Sequence, residues 1–187
     1  MKSVENKETR LEMVDMHKFF LDKINNAIEE KRYVEASWLI YSCMENRFFR
    51  VLCKFKNQCV YSDGKCGKSK NELAISTKIS CVRRMCQNNV ICISNAFTIE
   101  QLDNISKWIK QRNRMMHDLL SLDTYEETDE EFELSALEGK VLLDELYESC
   151  TEFRKIFFSQ DYIFVFPKAA MDGCNCRKSK KRKENIK

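Results

Sequence analysis

The stretch Thr98-Ile99-Glu100-Gln101-Leu102-Asp103-Asn104-Ile105-Ser106-Lys107-Trp108-Ile109-Lys110-Gln111-Arg112-Asn113-Arg114-Met115-Met116-His117 decides how the chain folds. An α-helix advances about 100° per residue, so Leu102, Ile105, Trp108, Ile109, Met115, Met116, Leu119 and Leu120 share an arc of roughly 140°. That is the apolar face of a long amphipathic helix. Thr98 and Gln101 have the spacing of a capping box and mark its start. Arg112 lies near the centre of the apolar arc, whereas Asn113 and His117, one turn apart, share its edge with Ser106. A guanidinium on such a face is costly unless it is paired, so its presence points to a use for the charge. Arg112 and His117 are about 140° apart around the axis, and they converge only if the arginine bends back or a second copy of the helix supplies the other group.

Outward from this helix the periodicity continues. Four glycines and one proline, Pro167, in 187 residues leave few sites for sharp turns, and long helices follow. The spacing predicts helices over about residues 9–31, 33–56, 71–87, 98–122 and 129–158. The first carries Leu11, Val14, Phe19, Leu21, Ile24 and Ile28, with His17 as a surface or boundary residue. The second has one stripe of Ala36, Ile40, Cys43, Met44 and Val51 and another of Trp38, Tyr41, Glu45, Phe48 and Leu52. Glu45 interrupts the second stripe and calls for a cation: Arg112 or Arg114 from the motif helix, or Arg47 or Arg50 on its own. In the fifth, Thr128 and Glu131 have capping-box spacing, and Phe132, Leu137, Val141, Leu142, Leu146, Tyr147, Phe153, Ile156 and Phe157 form the apolar side. Residues 57–69 read as a loop with Gly64 and Gly67, residues 88–95 as irregular, and Tyr162–Phe166 as a short extended strap. The expected architecture is all-α, an up-and-down bundle of about five helices with a cysteine-bearing middle insertion. One domain over residues 1–166 would be followed by a basic, disordered tail over residues 167–187.

Composition narrows the function classes. With 33% charged and 43% hydrophobic residues, the chain reads as a soluble globular protein. No apolar run is long enough to span a bilayer and the N-terminus lacks a signal-peptide core, so the expected location is cytoplasmic, with no membrane partner. The ten cysteines therefore read mainly as small buried thiols. Cys59, Cys66, Cys81 and Cys86 are the weaker candidate for a shared zinc ion, since their gaps are irregular and both histidines lie elsewhere. The net charge of +3 conceals a basic end, Arg177 to Lys187, and an acidic middle, Asp123 to Glu133. The basic end suits either nucleic acid or a solvated terminus.

An all-helical chain whose penultimate long helix carries Arg-x4-His, with asparagine directly after the arginine, resembles the HEPN superfamily (higher eukaryotes and prokaryotes nucleotide-binding). Here the motif is Arg112-Asn113-Arg114-Met115-Met116-His117, and Ala36, Trp38 and Met44-Glu45-Asn46-Arg47 resemble an earlier core helix of that family. The resemblance covers about residues 9–158. It implies a metal-independent endoribonuclease without cofactor, of the toxin or phage-defence type, which cleaves RNA by 2′-hydroxyl attack to leave a 2′,3′-cyclic phosphate. It also implies a homodimer through the motif helix and a nucleotidyltransferase-type antitoxin as partner. Arg112 and His117 match the family's catalytic pair; Asn113, Arg114 and Glu45 take substrate-binding or supporting places. Two other readings stand beside it. One is a non-catalytic nucleotide- or nucleic-acid-binding or dimerisation module of the same fold. The other is a helical bundle in which Arg112 is satisfied internally and His117 is an ordinary edge histidine.

Overall fold

The computed structural model describes residues 2–55, 73–118 and 125–159. It is all-α, with six helices and no strand among these residues: α1 (Lys2–Glu29), α2 (Tyr33–Cys53), α3 (Ile75–Gln87), α4 (Ile91–Ser94), α5 (Ile99–Asp118) and α6 (Tyr125–Phe158). The expected helical bundle is thus present, with one helix more than the periodicity predicts. The loop over residues 57–69, the strap at Tyr162–Phe166, the basic tail and Leu119 and Leu120 fall outside the described residues.

The chain divides into two compact units, one of residues 1–43 and 108–143 and the other of residues 44–107 and 144–187. In the first, Ala27, Tyr33, Ala36, Met115, Phe132 and Ala136 form a buried cluster against which Ile28, Val34 and Met116 pack. Two buried polar groups are satisfied there. The Trp108 indole N–H donates to the Ser135 carbonyl at 2.8 Å, and the Tyr33 hydroxyl donates to Glu133 at 2.8 Å. Gly139, within the 34-residue α6, faces the Trp108 indole: a Cβ at that position would sit 2.5 Å from Trp108 Cζ2. A side chain there and the indole cannot both keep their places.

α1 ends at Glu29 without a glycine. Lys31 adopts φ 58°, its N–H donates to the Ile28 carbonyl at 3.0 Å, and the Arg32 N–H donates to the Ala27 carbonyl at 2.7 Å. These are the two bonds of a Schellman motif, closed by a lysine in the left-handed region that glycine ordinarily fills. Lys31→Gly should therefore raise stability by up to about 1 kcal/mol, read from the urea midpoint, since Lys31 is exposed and contributes little else.

In the second unit, α2 and α6 run parallel. Arg47 meets Tyr147, while Phe55, two residues past the end of α2, meets Phe153 and Phe157 further along α6 at ring-centroid distances of 6.1 and 5.8 Å. α3 ends in a second Schellman motif, with Asn89 at φ 53° and the Val90 N–H donating to Met85. The chain then turns directly into α4, which buries Cys92 and Ile93. This overturns the irregular reading of residues 88–95. An asparagine in the left-handed region stops α3 and lets the next four residues form a turn of helix, a device that alternating polar and β-branched residues conceal.

Two further expectations are corrected. α6 begins at Tyr125, so Thr128 lies inside its first turn and is not its N-cap. Acidic residues at 126, 127 and 129 suit a helix start and allow the earlier beginning. At α5, Thr98 Oγ1 does accept the Gln101 N–H at 3.1 Å, but the Gln101 side chain accepts from the Ser149 hydroxyl at 3.1 Å, where the capping box would have it reach back to Thr98.

Candidate functional site

Each motif residue takes the place its helical angle dictates. Ile105, Trp108, Ile109 and Met115 are buried along one side of α5, and Arg112 lies among them, 7% exposed. Asn113 is half-buried, and Arg114 and His117 are exposed. The fate of the Arg112 charge is the central observation. Its Nη1 donates to Asn113 Oδ1 at 3.2 Å, and its guanidinium carbon stands 4.9 Å from the centroid of the Tyr41 ring. Nε and Nη2 are buried and have no hydrogen-bond partner. Among the described residues no carboxylate forms an ion pair with it. Burial holds the guanidinium below the usual arginine pKa, opposed in part by Tyr41.

A buried guanidinium has five N–H donors to satisfy. Here one nitrogen has a neutral amide acceptor, the plane has an aromatic ring, and two nitrogens have nothing. Cation–π contact contributes about 0.5–2 kcal/mol, and each buried donor left unmade costs about 1–3 kcal/mol. The site is thus a stabilised but incompletely satisfied cation.

Glu45 belongs to the second unit, and its cation there is Lys78. The Lys78 ammonium, on a side chain only 3% exposed, donates to Glu45 Oε1 at 2.8 Å and lies 5.9 Å from the Phe49 ring centroid. Lys78 was not foreseen from the sequence, where it reads as a polar residue on α3, although Ile75, Ile79 and Val82 around it share the buried side. Spacing carried one available signal: position 78 falls between Val82 and Met85 on that arc, and both are buried.

The thiols behave as buried apolar groups. Cys43, Cys81, Cys92 and Cys150 are buried and not joined in disulfides, and the half-buried Cys86 donates its S–H to the Phe97 carbonyl at 3.2 Å. Cys59, Cys66, Cys174 and Cys176 lie outside the described residues. Burial pushes the thiols of Cys92 and Cys150 up to about 12. Only the thiolate attacks an alkylating reagent. At pH 8 the native protein should therefore react with iodoacetamide at these two positions at least about 10³-fold more slowly than the urea-unfolded chain, as read by mass spectrometry of labelled peptides.

No helix among the described residues is long and apolar enough to cross a membrane. Comparison of the chain with protein families, with curated proteins and with solved structures found no match.

Proposed function

We propose that the chain is a HEPN-like, metal-independent endoribonuclease acting as a homodimer through α5. The observation that carries this reading is an incompletely satisfied guanidinium at Arg112, with Asn113 bonded to it and an exposed His117 five residues on along the same helix. RNA cleavage of this type requires removal of the 2′-hydroxyl proton, stabilisation of the extra negative charge at phosphorus, and protonation of the departing 5′-oxygen. A neutral His117 takes the first proton, and the protonated His117 of the facing copy returns one to the 5′-oxygen. Arg112, fork-shaped and permanently charged, binds the phosphate, and Arg114 adds positive charge beside it. The products are a 2′,3′-cyclic phosphate and a free 5′-hydroxyl. Such proteins act as toxins or defence effectors opposed by a nucleotidyltransferase-type antitoxin, and that partnership is part of the proposal.

The test is cleavage of a labelled single-stranded RNA by the parent chain and by His117→Ala, in EDTA throughout. Loss of at least about 10³-fold in rate with an unchanged circular dichroism spectrum is expected. Persistent cleavage by the variant, or no cleavage by the parent in EDTA, overturns the catalytic reading.

One observation favours the second reading, a non-catalytic nucleotide- or nucleic-acid-binding or dimerisation module. Nε and Nη2 of Arg112 are out of solvent, as suits a guanidinium that organises a helix face or an interface. On that reading RNA is bound and not cut, and His117→Ala leaves the affinity unchanged.

A further inference from the structure

Within the first unit, α6 carries aliphatic side chains on two opposite sides. Phe132, Ala136, Leu142 and Leu143 are buried along one of them, yet Leu134, Leu137 and Val141 stand 69%, 45% and 58% exposed on the other. At 100° per residue these three share an arc of about 60°, roughly opposite the buried side, and they follow one another at spacings of three and four. Single exposed aliphatics are ordinary. Three in file on successive turns form a ridge of the kind that seats in the groove of another helix. Written as a heptad, abcdefg, Leu134 and Val141 are a positions and Leu137 is the d position between them. The flanks follow from that register. Glu131 and Glu138 fall at e, Glu133 and Lys140 fall at g, and Glu130 and Asp144 close the seam at its two ends. Glu130, Glu131 and Glu138 are exposed, and the half-buried Glu133 accepts the Tyr33 hydroxyl.

This pattern discriminates among occupants. A second copy of the chain fits it poorly. In an antiparallel pair a faces d, so a seam with two a residues and one d sets an aliphatic against an acid in either register: Val141 against Glu130, or Leu134 against Asp144. In a parallel pair the aliphatics match, but each g residue meets the e residue of the next heptad. Glu133 then opposes Glu138, which offsets the pairing of Lys140 with Glu145, and the flanks gain nothing. Anionic lipid and nucleic acid are repelled by the same carboxylates. A helix with one aliphatic stripe and lysine or arginine on both sides of it meets every requirement, since its apolar side chains fill the seam and its cations face the glutamates at the rim. We infer that Leu134, Leu137 and Val141 are the docking ridge for a basic amphipathic helix of another protein, with Glu131 and Glu138 pairing with its cations. The inference is independent of the reading given to Arg112 and His117.

Fluorescence anisotropy of labelled synthetic peptides, titrated with the full chain at physiological salt, tests it. The probe is a three-heptad peptide with leucine at a and d and lysine at e and g; its counterpart has glutamate at e and g. The lysine peptide should bind saturably and the glutamate peptide should not. Leu134→Gln with Leu137→Gln, which keeps the net charge and removes the ridge, should weaken binding at least about tenfold. Glu131→Lys with Glu138→Lys should reverse the preference, so that the glutamate peptide binds in place of the lysine peptide. All four substitutions are at exposed positions, and an unchanged circular dichroism spectrum confirms that the fold is kept. Absence of saturable binding, equal binding by the parent and the glutamine variant, or an unaltered preference in the charge-reversed variant overturns the inference. So does a dimer in sedimentation that the glutamine variant abolishes, which gives the ridge to a second copy. Binding that appears only after Phe164→Ser and Phe166→Ser gives it to the chain's own apolar strap and overturns the inference equally.

Discussion

Arg112→Met should make the protein more stable, by about 1–3 kcal/mol, while removing whatever function the charge serves. Two buried nitrogens of Arg112 have no acceptor, and relieving them is worth about 1–3 kcal/mol each. Against this stand the cation–π contact with Tyr41 and one hydrogen bond to Asn113, together about 1–3 kcal/mol. Methionine has nearly the same helix propensity as arginine and suits a face already made of Trp108, Ile109 and Met115. The balance favours the variant. In a chain of this size each kcal/mol corresponds to roughly 2–4 °C in Tm, so calorimetry resolves it. Under the endoribonuclease proposal the same variant loses cleavage. A variant that is less stable than the parent by more than 1 kcal/mol would mean that Arg112 is a structural keystone, and the argument from an unsatisfied charge would fail.

The second large effect concerns Gly139. On helix propensity alone Gly139→Ala should stabilise α6 by about 0.8–1.0 kcal/mol. The contact with Trp108 reverses the sign. A Cβ 2.5 Å from Cζ2 and 2.6 Å from Cε2 meets the rigid part of an indole that is 1% exposed and tied to Ser135, so neither group can give way cheaply. A net destabilisation of about 1–3 kcal/mol is expected. Trp108→Phe removes the crowded half of the ring, and in that background Gly139→Ala should cost at least about 1 kcal/mol less, a coupling read from the four urea midpoints of a double-mutant cycle. Additive effects would place the clash elsewhere.

These two sites mark the limits of what the sequence discloses. Helices over long stretches were legible because few glycines and prolines interrupt the chain and because Leu102, Ile105, Trp108 and Met115 recur at helical spacing; all four are buried as expected. The angular separation of Arg112 from His117 was legible for the same reason, one buried and the other exposed. Contacts between distant segments were not. Glu45 calls for a cation, but that the cation is Lys78, 33 residues away, depends on which faces of α2 and α3 meet. The closeness of Gly139 and Trp108 depends likewise on the packing of α5 against α6 in the first unit. Local conformation also hides where an ordinary residue takes glycine's place: Lys31 and Asn89 end their helices in the left-handed region, and nothing in the alternation around Asn89 announces α4. Leu137 and Val141, read as part of the apolar side of α6, are exposed, as is Trp38 on α2. Apolar character alone does not say which of two overlapping stripes faces inward.

The two tryptophans give the first unit its own optical reporter. Trp38 is 58% exposed and Trp108 is 1% exposed. Iodide should quench the red-shifted emission of the former and leave the blue-shifted emission of the latter, so the environment one turn from Arg112 can be followed in the unlabelled protein as RNA, phosphate or a second copy of the chain is added.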